Sequence, residues 1–231
     1  MASNFSIREA RPEDILEIMS LLLPNFEHIP VEQILGNVNT PEGRKAASER
    51  HLQAWRQHAV DYAVPCAITC VHTDPDTGNE AIIGFAEWFI YDKPRSPEQY
   101  RKIEFLLSAS WVVDEGKRER VKRWMRPVTD ARIKWLGGRR SATLMYMCVA
   151  KAWRRQGVST RCVQWGLDRC KELGLPAYLE ASEDGEPVYK KLGFEEVEKV
   201  VMDFDGEKGV FPAMIWWPPG TQDEDKMPAC P

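Results

Sequence analysis

A basic turn at residues 154–160 is the part of this sequence best suited to hold a ligand. It reads Arg-Arg-Gln-Gly-Val-Ser-Thr, and apolar residues at helical spacing follow it. The first N–H groups of a helix have no partner within the helix, and the helix N-terminus is electropositive, so anions bind there. Gly157 has no Cβ to block a ligand, and Arg154 and Arg155 add positive charge. The turn predicts a phosphate or pyrophosphate site, although it is neither a Walker A loop nor Gly-x-Gly-x-x-Gly.

Glu87 is a candidate for accepting a proton. It lies within the predicted strand Ala81–Tyr91, and alternation places it on one face with four bulky apolar residues, Ile83, Phe85, Phe89 and Tyr91. A carboxylate in such surroundings is paired, lies in a solvated cleft or holds its proton more tightly than usual. A cleft is where a general base would lie. The alternative is a structural glutamate at the sheet surface, or one paired with an arginine.

Tyr189 is a candidate proton donor. It belongs to the segment Val188–Phe194, which reads Val-Tyr-Lys-Lys-Leu-Gly-Phe. A phenol with a pKa near ~10 is protonated at neutral pH, so its natural role is that of an acid. The alternative is a tyrosine that only packs in the core.

Two strands and a helix must position the turn. Leu144–Ala150 is a short apolar run of the kind that forms a buried strand. The helix after the turn is predicted to end at Gly174, before Pro176, and Ala177–Ala181 predicts the next strand. A strand, helix and strand of this length form a βαβ crossover, so the two strands are expected to be parallel.

The turn resembles a motif of the GNAT superfamily of acetyl-CoA-dependent N-acetyltransferases. That family carries Arg/Gln-x-x-Gly-x-Gly/Ala after its fourth strand, and Arg154, Gly157 and Ser159 occupy this pattern. Ser159 departs from it, because it is small but is neither Gly nor Ala.

A second motif of the same family is Tyr-x-x-x-Gly-Phe after the fifth strand. Tyr189, Gly193 and Phe194 occupy it, and Ser182 stands where many members have an Asn. The resemblance is strong over residues 143–204 and extends to 5–25 and 64–91, whereas 92–140 lie outside it.

The resemblance implies an α/β (α+β) fold. We expect a mixed, mostly antiparallel central sheet with a parallel βαβ crossover, flanked by helices, in a single domain over residues 1–217. Residues 92–140, which the resemblance does not cover, are expected to form a helical insertion between the third and fourth strands. The Pro-rich, acidic residues 218–231 are expected to form a flexible tail.

The resemblance also implies a chemistry, in which a primary amine of a small molecule or peptide attacks the thioester of acetyl-CoA directly. Tyr189 stands where the family places its acid, Glu87 is the first candidate for the base and Glu180 the second. Backbone N–H groups where the fourth strand splays from the fifth are expected to stabilise the oxyanion. The residues expected to bind acetyl-CoA are Met147, Cys148, Val149, Arg154, Arg155, Gln156, Gly157, Val158, Ser159, Thr160 and Ser182.

Two other functions stay open. One is a non-catalytic acyl-CoA-binding or regulatory protein on the same fold, against which Tyr189 argues. The other is nucleic-acid binding through residues 117–140, which hold ten basic and two acidic side chains. This segment is either a charged, solvated face over an apolar stripe or a lid over the acceptor site that attracts acidic groups.

Helices are expected in three further regions. Ser96 and Pro97 are suited to begin a helix that continues through Leu107, and Pro127 is expected to break or restart the helix of the basic segment. A helix over residues 46–60 carries His51 and His58, which either face a substrate or, in the preferred interpretation, lie on a solvated surface.

The composition narrows the class of protein. The chain has 231 residues, 43% of them hydrophobic and 29% charged, as in an ordinary globular protein, and its net charge of −4 argues against non-specific nucleic-acid binding. No apolar run reaches the ~20 residues of a membrane span and no secretory signal is visible, so a cytoplasmic protein is expected. Scattered cysteines and histidines favour reduced thiols and no metal site. The acceptor amine, and whether the protein is a monomer or a homodimer, stay open.

Overall fold

The computed structural model describes residues 5–25, 36–61, 64–101 and 112–230, with only the backbone described for residues 58, 60, 61 and 64–66. The strands are Phe5–Glu9 (β1), Val64–Thr73 (β2), Glu80–Tyr91 (β3), Ser141–Val149 (β4), Ala177–Glu180 (β5), Glu195–Phe204 (β6) and Glu207–Trp216 (β7). The helices are Ile15–Leu22 (α1), Pro41–Asp61 (α2), Pro97–Tyr100 (α3), Glu115–Leu136 (α4), Val158–Leu173 (α5) and Glu186–Lys191 (α6). Short 3-10 turns lie at Pro12–Asp14, Leu23–Asn25, Lys151–Trp153 and Asp223–Lys226.

A seven-stranded sheet in the order β1-β2-β3-β4-β5-β7-β6 forms the centre of the fold. β4 and β5 run parallel, and the other neighbouring pairs are antiparallel. The predicted mixed, mostly antiparallel sheet with a parallel crossover is therefore confirmed, and α5 is the crossover helix.

Helices cover both faces of the sheet. α5 packs on one face, where a Cβ at Gly166 would lie 2.0 Å from Cε2 of Trp88, so only glycine lets the helix come this close. On the opposite face, the apolar side of α1 packs against Phe85 and Cys148. α4 packs on that same opposite face, over Tyr178 of β5 and its neighbours on β6 and β7.

A bulge in β3 changes one predicted face assignment. The register between β2 and β3 shifts next to Ile83, which has no partner residue in β2. Ile83 therefore packs on the α5 face, while Ile82 packs with Phe85 on the opposite face. The prediction that Ile83 shares a face with Glu87 is wrong, because one extra residue reverses the alternation.

The segment between β3 and β4 contains α3 and α4. Ser96 caps α3 as predicted: its Oγ accepts a hydrogen bond from Gln99 N at 3.3 Å, and its own N–H donates to Gln99 Oε1 at 2.8 Å. The rest of the helix predicted through Leu107 falls mostly on residues 102–111, which lie outside the described residues.

α4 is continuous from Glu115 to Leu136, so the expectation that Pro127 breaks it is wrong. Pro127 cannot donate to the carbonyl one turn earlier. The buried stripe that includes Trp124, Val128 and Ala131 packs on both sides of it, and this packing holds the helix together.

Many basic side chains of α4 have acidic partners. Arg123 Nη2 lies 2.9 Å from Asp205 Oδ1, and Lys122 Nζ lies 2.8 Å from Glu119 Oε1. Arg132 and Lys134 pair with glutamates of β5 and β6. These contacts favour a charged, solvated face over an apolar stripe rather than a lid that attracts acidic groups.

The C-terminal residues lie against the end of α4. Cys230 N donates to Lys134 O at 3.0 Å. Arg139 donates to the carbonyls of Asp225 and Met227 at 3.1 and 2.9 Å. The flexible tail stays a prediction, and these hydrogen bonds are among the contacts that residues 218–230 make with the rest of the chain.

Candidate active site

β4 and β5 diverge after a short parallel pairing. Ala142 pairs with Ala177 and Thr143 with Tyr178, and beyond these positions the described strands are no longer paired with each other. β4 continues to Val149 and stays paired with β3 on its other side. The splay predicted near the end of β4 is therefore present, and it leaves backbone N–H and C=O groups on one edge of β4 that a ligand can bind.

A bulge in β4 turns two consecutive side chains toward the face that carries α1, α2 and α4. The register between β3 and β4 shifts at Met145, the extra residue. Met145 packs against Phe89 and Tyr91. Tyr146 lies beside His51, with 5.5 Å between the ring centroids. Bulges re-aim side chains in this way next to binding sites.

The basic turn enters α5 through two residues with positive φ. Arg155 has φ 62°, and Gly157, immediately before the helix, has φ 84°. A Cβ at Gly157 would meet no atom within 4 Å, so open space lies above it. The first-turn N–H groups of α5, which begins at Val158, have no partner within the helix. This geometry is that of an anion site at a helix N-terminus.

The side chains of the turn divide into two groups. Arg154 Nη2 donates to Asn25 Oδ1 at 2.7 Å, which joins the turn to the 3-10 turn after α1. Gln156 Nε2 donates to Ala152 O at 3.1 Å. These two side chains shape the turn, whereas Arg155 is exposed beside it.

Gly84 of β3 brings the start of α5 down onto the sheet. A Cβ at Gly84 would lie 2.5 Å from Cγ1 of Val158, the first residue of the helix, and Val158 is buried. The N-terminus of α5 is thereby fixed next to the end of β4, where the strands diverge.

Tyr189 lies on α6 with its ring held in the core. The residue is 8% exposed, and its ring meets Phe194 edge-on with 5.8 Å between centroids. A Cβ at Gly185 would lie 2.8 Å from its Cε2, so glycine leaves room for the ring. Burial, with a smaller effect of the neighbouring Cys148, raises the pKa of Tyr189. Its hydroxyl makes no hydrogen bond within the described residues, so its proton is free to be donated to a ligand.

The end of β4 approaches Tyr189. Cys148 is 3% exposed, and burial raises the pKa of its thiol, so it is a neutral packing group. Met147 and Val149 are partly buried and pack against the same core cluster as Tyr189. The structure thus brings together the strand edge and the tyrosine that the sequence singled out.

Ser182 makes local hydrogen bonds before α6. Its Oγ accepts from Gly185 N at 3.2 Å, and its carbonyl accepts from the N–H groups of Gly185 and Glu186 at 3.0 and 2.9 Å. The residue is exposed and organises the turn that begins the helix of Tyr189.

Glu87 is enclosed between the sheet and α2. It is 0% exposed, and its Oε2 lies 2.6 Å from His51 Nε2. Its Oε1 accepts a hydrogen bond from Trp55 Nε1 at 2.9 Å. Glu87 is thus paired, but with a histidine and a tryptophan of α2 rather than with an arginine.

His51 was missed by the sequence interpretation that placed it on a solvated surface. It is 2% exposed, because the neighbouring residues on its side of α2 are small: Ala47, Ser48 and Ala54 are buried against the rest of the protein. The small residues at helical spacing are the feature of the sequence that could have predicted a buried His51. A pattern based on hydrophobicity alone does not show it. His58 lies on the same helix, and its side chain is outside the described residues.

Glu180, the second candidate base, ends β5 on the same face as Glu87. Both of its oxygens are bound by Arg132 of α4, at 2.9 Å from Nε and 2.7 Å from Nη2. The neighbouring Tyr178 is fully buried, and burial together with the Glu180 carboxylate raises its pKa.

The described ranges hold neither a metal-binding cluster nor a membrane-spanning helix. Within them, no group of three or more His, Cys, Asp or Glu side chains could hold a metal ion. Among the described helices, none is long and apolar enough to cross a membrane.

Comparison with known sequences gives two matches. Residues 135–209 match the family model of an acetyltransferase (GNAT) domain. "Probable acyltransferase SID5" of Ajellomyces capsulatus is 37% identical over 46 residues, which are 20% of this chain and 34% of that protein. The chain therefore spans about a third of the length of this curated relative.

Solved structures share the fold at low sequence identity. A mutant of agmatine N-acetyltransferase in its apo form gives a TM-score of 0.58 at 13% identity, covering 93% of this chain and 100% of that one. Arabidopsis thaliana NAA60 with a bisubstrate analogue gives 0.55 at 15% identity, covering 94% and 99%. The yncA protein of Salmonella typhimurium with acetyl-CoA gives 0.53 at 11% identity, covering 95% and 96%. Residues 135–209 therefore resemble a GNAT acetyltransferase domain, and the chain shares the fold of these solved acetyltransferases.

Proposed function

We propose that this protein transfers the acetyl group of acetyl-CoA to a primary amine of a small molecule or peptide. The observation that carries this proposal is the divergence of β4 from β5 at Thr143 and Tyr178, which opens onto the N-terminus of α5. An extended acyl-CoA arm fits between such strands, and its pyrophosphate fits the electropositive helix start. Tyr189 lies in the core beside this opening.

The cofactor is proposed to bind along the edge of β4 and the basic turn. Met147, Cys148 and Val149 would contact the pantetheine arm through their backbone. The N–H groups of residues 155–160 would hold the pyrophosphate, supported by the exposed charge of Arg155. Arg154 and Gln156 support the turn through the hydrogen bonds described above, and Ser182 borders the opening from the β5 side.

The reaction is proposed as a direct attack on the thioester. The amine nitrogen forms a bond to the carbonyl carbon, the C–S bond breaks and CoA leaves as a thiolate. Tyr189 donates its proton to that sulfur, and its raised pKa keeps it protonated beforehand. Backbone N–H groups near Cys148 and Val149 stabilise the oxyanion of the tetrahedral intermediate.

We infer that the proton of the amine leaves toward the sheet face that carries α2, because Glu87 lies there. An alkylammonium resembles lysine, with a pKa near ~10.4, so a base has to remove its proton. Glu87 contacts His51, whose imidazole can exchange a proton, whereas both oxygens of Glu180 are bound by the guanidinium of Arg132, which cannot accept one. The pair that includes Glu87 is therefore the better candidate.

The acceptor is proposed to be an amine whose binding does not depend on a free acidic cluster. Two carboxylates of this face, Glu87 and Glu180, are both paired inside the protein. Partly exposed Met145 and Tyr146 lie between them on the bulge of β4. This surface is better suited to an acceptor with an apolar or aromatic body than to a polyamine.

The test combines binding and turnover. Calorimetry should detect acetyl-CoA binding, and release of free thiol from acetyl-CoA should depend on one or more members of a panel of amines, amino acids and peptides. Binding without turnover on any amine would favour the non-catalytic acyl-CoA-binding protein. Failure to bind acetyl-CoA would contradict both.

A further inference from the structure

We propose that His51 is the group that accepts the proton of the acceptor amine, and that Glu87 is the residue that positions it. This inference rests on the acetyl transfer proposed above. It starts from one contact between α2 and β3, the 2.6 Å distance between His51 Nε2 and Glu87 Oε2. The contact lies on the sheet face opposite α5, where an acceptor would approach.

In the proposed arrangement, Glu87 is an ionised carboxylate within a buried pair. Glu87 is 0% and His51 2% exposed. An ionised carboxylate only accepts hydrogen bonds, so the proton shared with Oε2 belongs to His51 Nε2. Trp55 Nε1 occupies the other oxygen at 2.9 Å. With both oxygens occupied and no exposed surface, Glu87 cannot take the proton of an incoming amine directly.

The second ring nitrogen of His51 is the atom left to act. A neutral imidazole protonated on Nε2 carries a lone pair on Nδ1. Within the described part of the chain, Nδ1 makes no hydrogen bond. The protein does not enclose this atom completely. Before the C–N bond forms, the proton of the acceptor ammonium passes to Nδ1, which leaves the amine neutral, and the Glu87 carboxylate stabilises the resulting imidazolium. Water takes the proton of the imidazolium afterwards. The nitrogen loses its surplus proton to solvent as the tetrahedral intermediate collapses, and solvent returns a proton to Tyr189.

The surroundings contain no competing base in hydrogen-bond contact with His51 among the described residues. From β4, the Tyr146 ring lies 5.5 Å away between centroids; from β3, the Phe85 ring lies 6.5 Å away. α1 contributes Glu17, whose carboxylate is bound to Ile82 N at 2.8 Å. β2 contributes the buried Thr69 on the same face. Tyr146 lies on the β4 bulge, next to the strand edge proposed to bind the thioester. The contact between the rings of Tyr146 and His51 therefore brings His51 near that edge.

The experiment is the pH dependence of steady-state kinetics for wild type, His51→Gln and Glu87→Gln, with acetyl-CoA and the best amine of the panel. The control is Gln53→Ala, exposed on the same helix. For wild type we expect kcat to rise with increasing pH along a limb that follows the ionisation of the base. His51→Gln should lower kcat by about 10²–10⁴-fold, remove the limb and leave the KM for acetyl-CoA unchanged. Glu87→Gln should keep the limb but move it to lower pH, because the imidazolium loses its carboxylate.

The outcomes separate this inference from the proposed function. Wild-type turnover together with an intact limb in His51→Gln would overturn the role of His51. A pH limb at the wild-type position in Glu87→Gln would overturn the role of Glu87. If His51→Gln does not fold, the position of the limb in Glu87→Gln is the measurement that tests the His51–Glu87 pair. A purely structural pair would lower stability in both variants without changing either profile. Lack of turnover by wild type on every amine would instead overturn the proposed function itself.

Discussion

Arg132 on α4 meets Glu180 at the end of β5 through two parallel hydrogen bonds, Nε to Oε1 at 2.9 Å and Nη2 to Oε2 at 2.7 Å. The two side chains are only 13% and 11% exposed. The pair ties the helix of the insertion to the strand that borders the proposed cofactor opening. A contact across 48 positions of sequence is therefore part of what holds this side of the site in place.

Removing one partner of this pair is expected to destabilise the protein. Arg132→Met leaves the Glu180 carboxylate nearly buried without a counter-charge, and we expect a loss of about 3 kcal/mol in the free energy of unfolding. The double variant Arg132→Met/Glu180→Leu should recover most of that loss. Urea denaturation measures all three proteins. The matched control is Lys122→Met, which breaks the exposed pair with Glu119 and should change stability by less than about 1 kcal/mol; an equally small effect in Arg132→Met would contradict the prediction.

The parts of the site that could be predicted from the sequence are those encoded in short segments. In the turn at residues 154–160 and in the segment around Tyr189, all the residues of the motif lie within a few positions of one another. The strand and helix patterns beside them fix the parallel crossover. The pairing of Glu87 with His51 could not be predicted, because it joins positions 36 apart and depends on the register of α2 over β3.

Two predictions from the sequence are wrong for the same physical reason: tertiary packing or pairing overrides a local rule. Pro127 removes a hydrogen bond from α4, yet the helix continues because its apolar stripe packs on β6 and β7. Ile83 leaves the face that alternation assigns to it, because the β2–β3 register shifts at a bulge. Neither the continuity of α4 nor the face of Ile83 can be predicted from the residue type and its near neighbours.

The contact between Gly166 and Trp88 yields a prediction about stability. Gly166→Ala would place a Cβ 2.0 Å from the indole, so α5 would have to shift. We expect a loss of about 1–3 kcal/mol, as for other overpacked cores, together with weaker acetyl-CoA binding because the helix start moves. The control is Gly174→Ala, where a Cβ meets no atom within 4 Å and φ is 62°. Its cost of about 1 kcal/mol comes from the backbone alone, so equal effects on cofactor affinity in the two variants would contradict the prediction.

The anion site at the start of α5 is tested by Gly157→Glu. The carboxylate would occupy the open space above the turn, where the pyrophosphate is proposed to bind. We expect calorimetric binding of acetyl-CoA to be lost while circular dichroism stays that of wild type, because no packed atom is displaced. Gly157→Ala separates charge from backbone strain: φ is 84°, so alanine costs about 1–2 kcal/mol of stability, but it should retain measurable binding. Unchanged affinity in Gly157→Glu would remove the pyrophosphate from this turn.

Tyr189→Phe tests the proposed acid. The variant keeps the ring against Phe194 and Gly185 and removes a hydroxyl that makes no hydrogen bond within the described residues, so the free energy of unfolding should change by less than about 1 kcal/mol. We expect kcat to fall by about 10²–10⁴-fold with little change in acetyl-CoA affinity. Burial raises the pKa of Tyr189 above its ordinary value, so wild type should lose no activity through ionisation of this phenol below about pH 10. The stability that comes with the protonated phenol is likewise complete below that pH and is lost only above it.

The matched control for this variant is Tyr178→Phe, which removes the hydroxyl of another buried tyrosine on the opposite face of the sheet, under α4. Its kcat should stay close to that of wild type, because Tyr178 does not face the opening where the thiolate leaves. Steady-state kinetics on the best amine, with thermal melts of each protein, make the comparison. Full kcat in Tyr189→Phe would mean that solvent protonates the thiolate and that Tyr189 is held in place by the core without donating a proton.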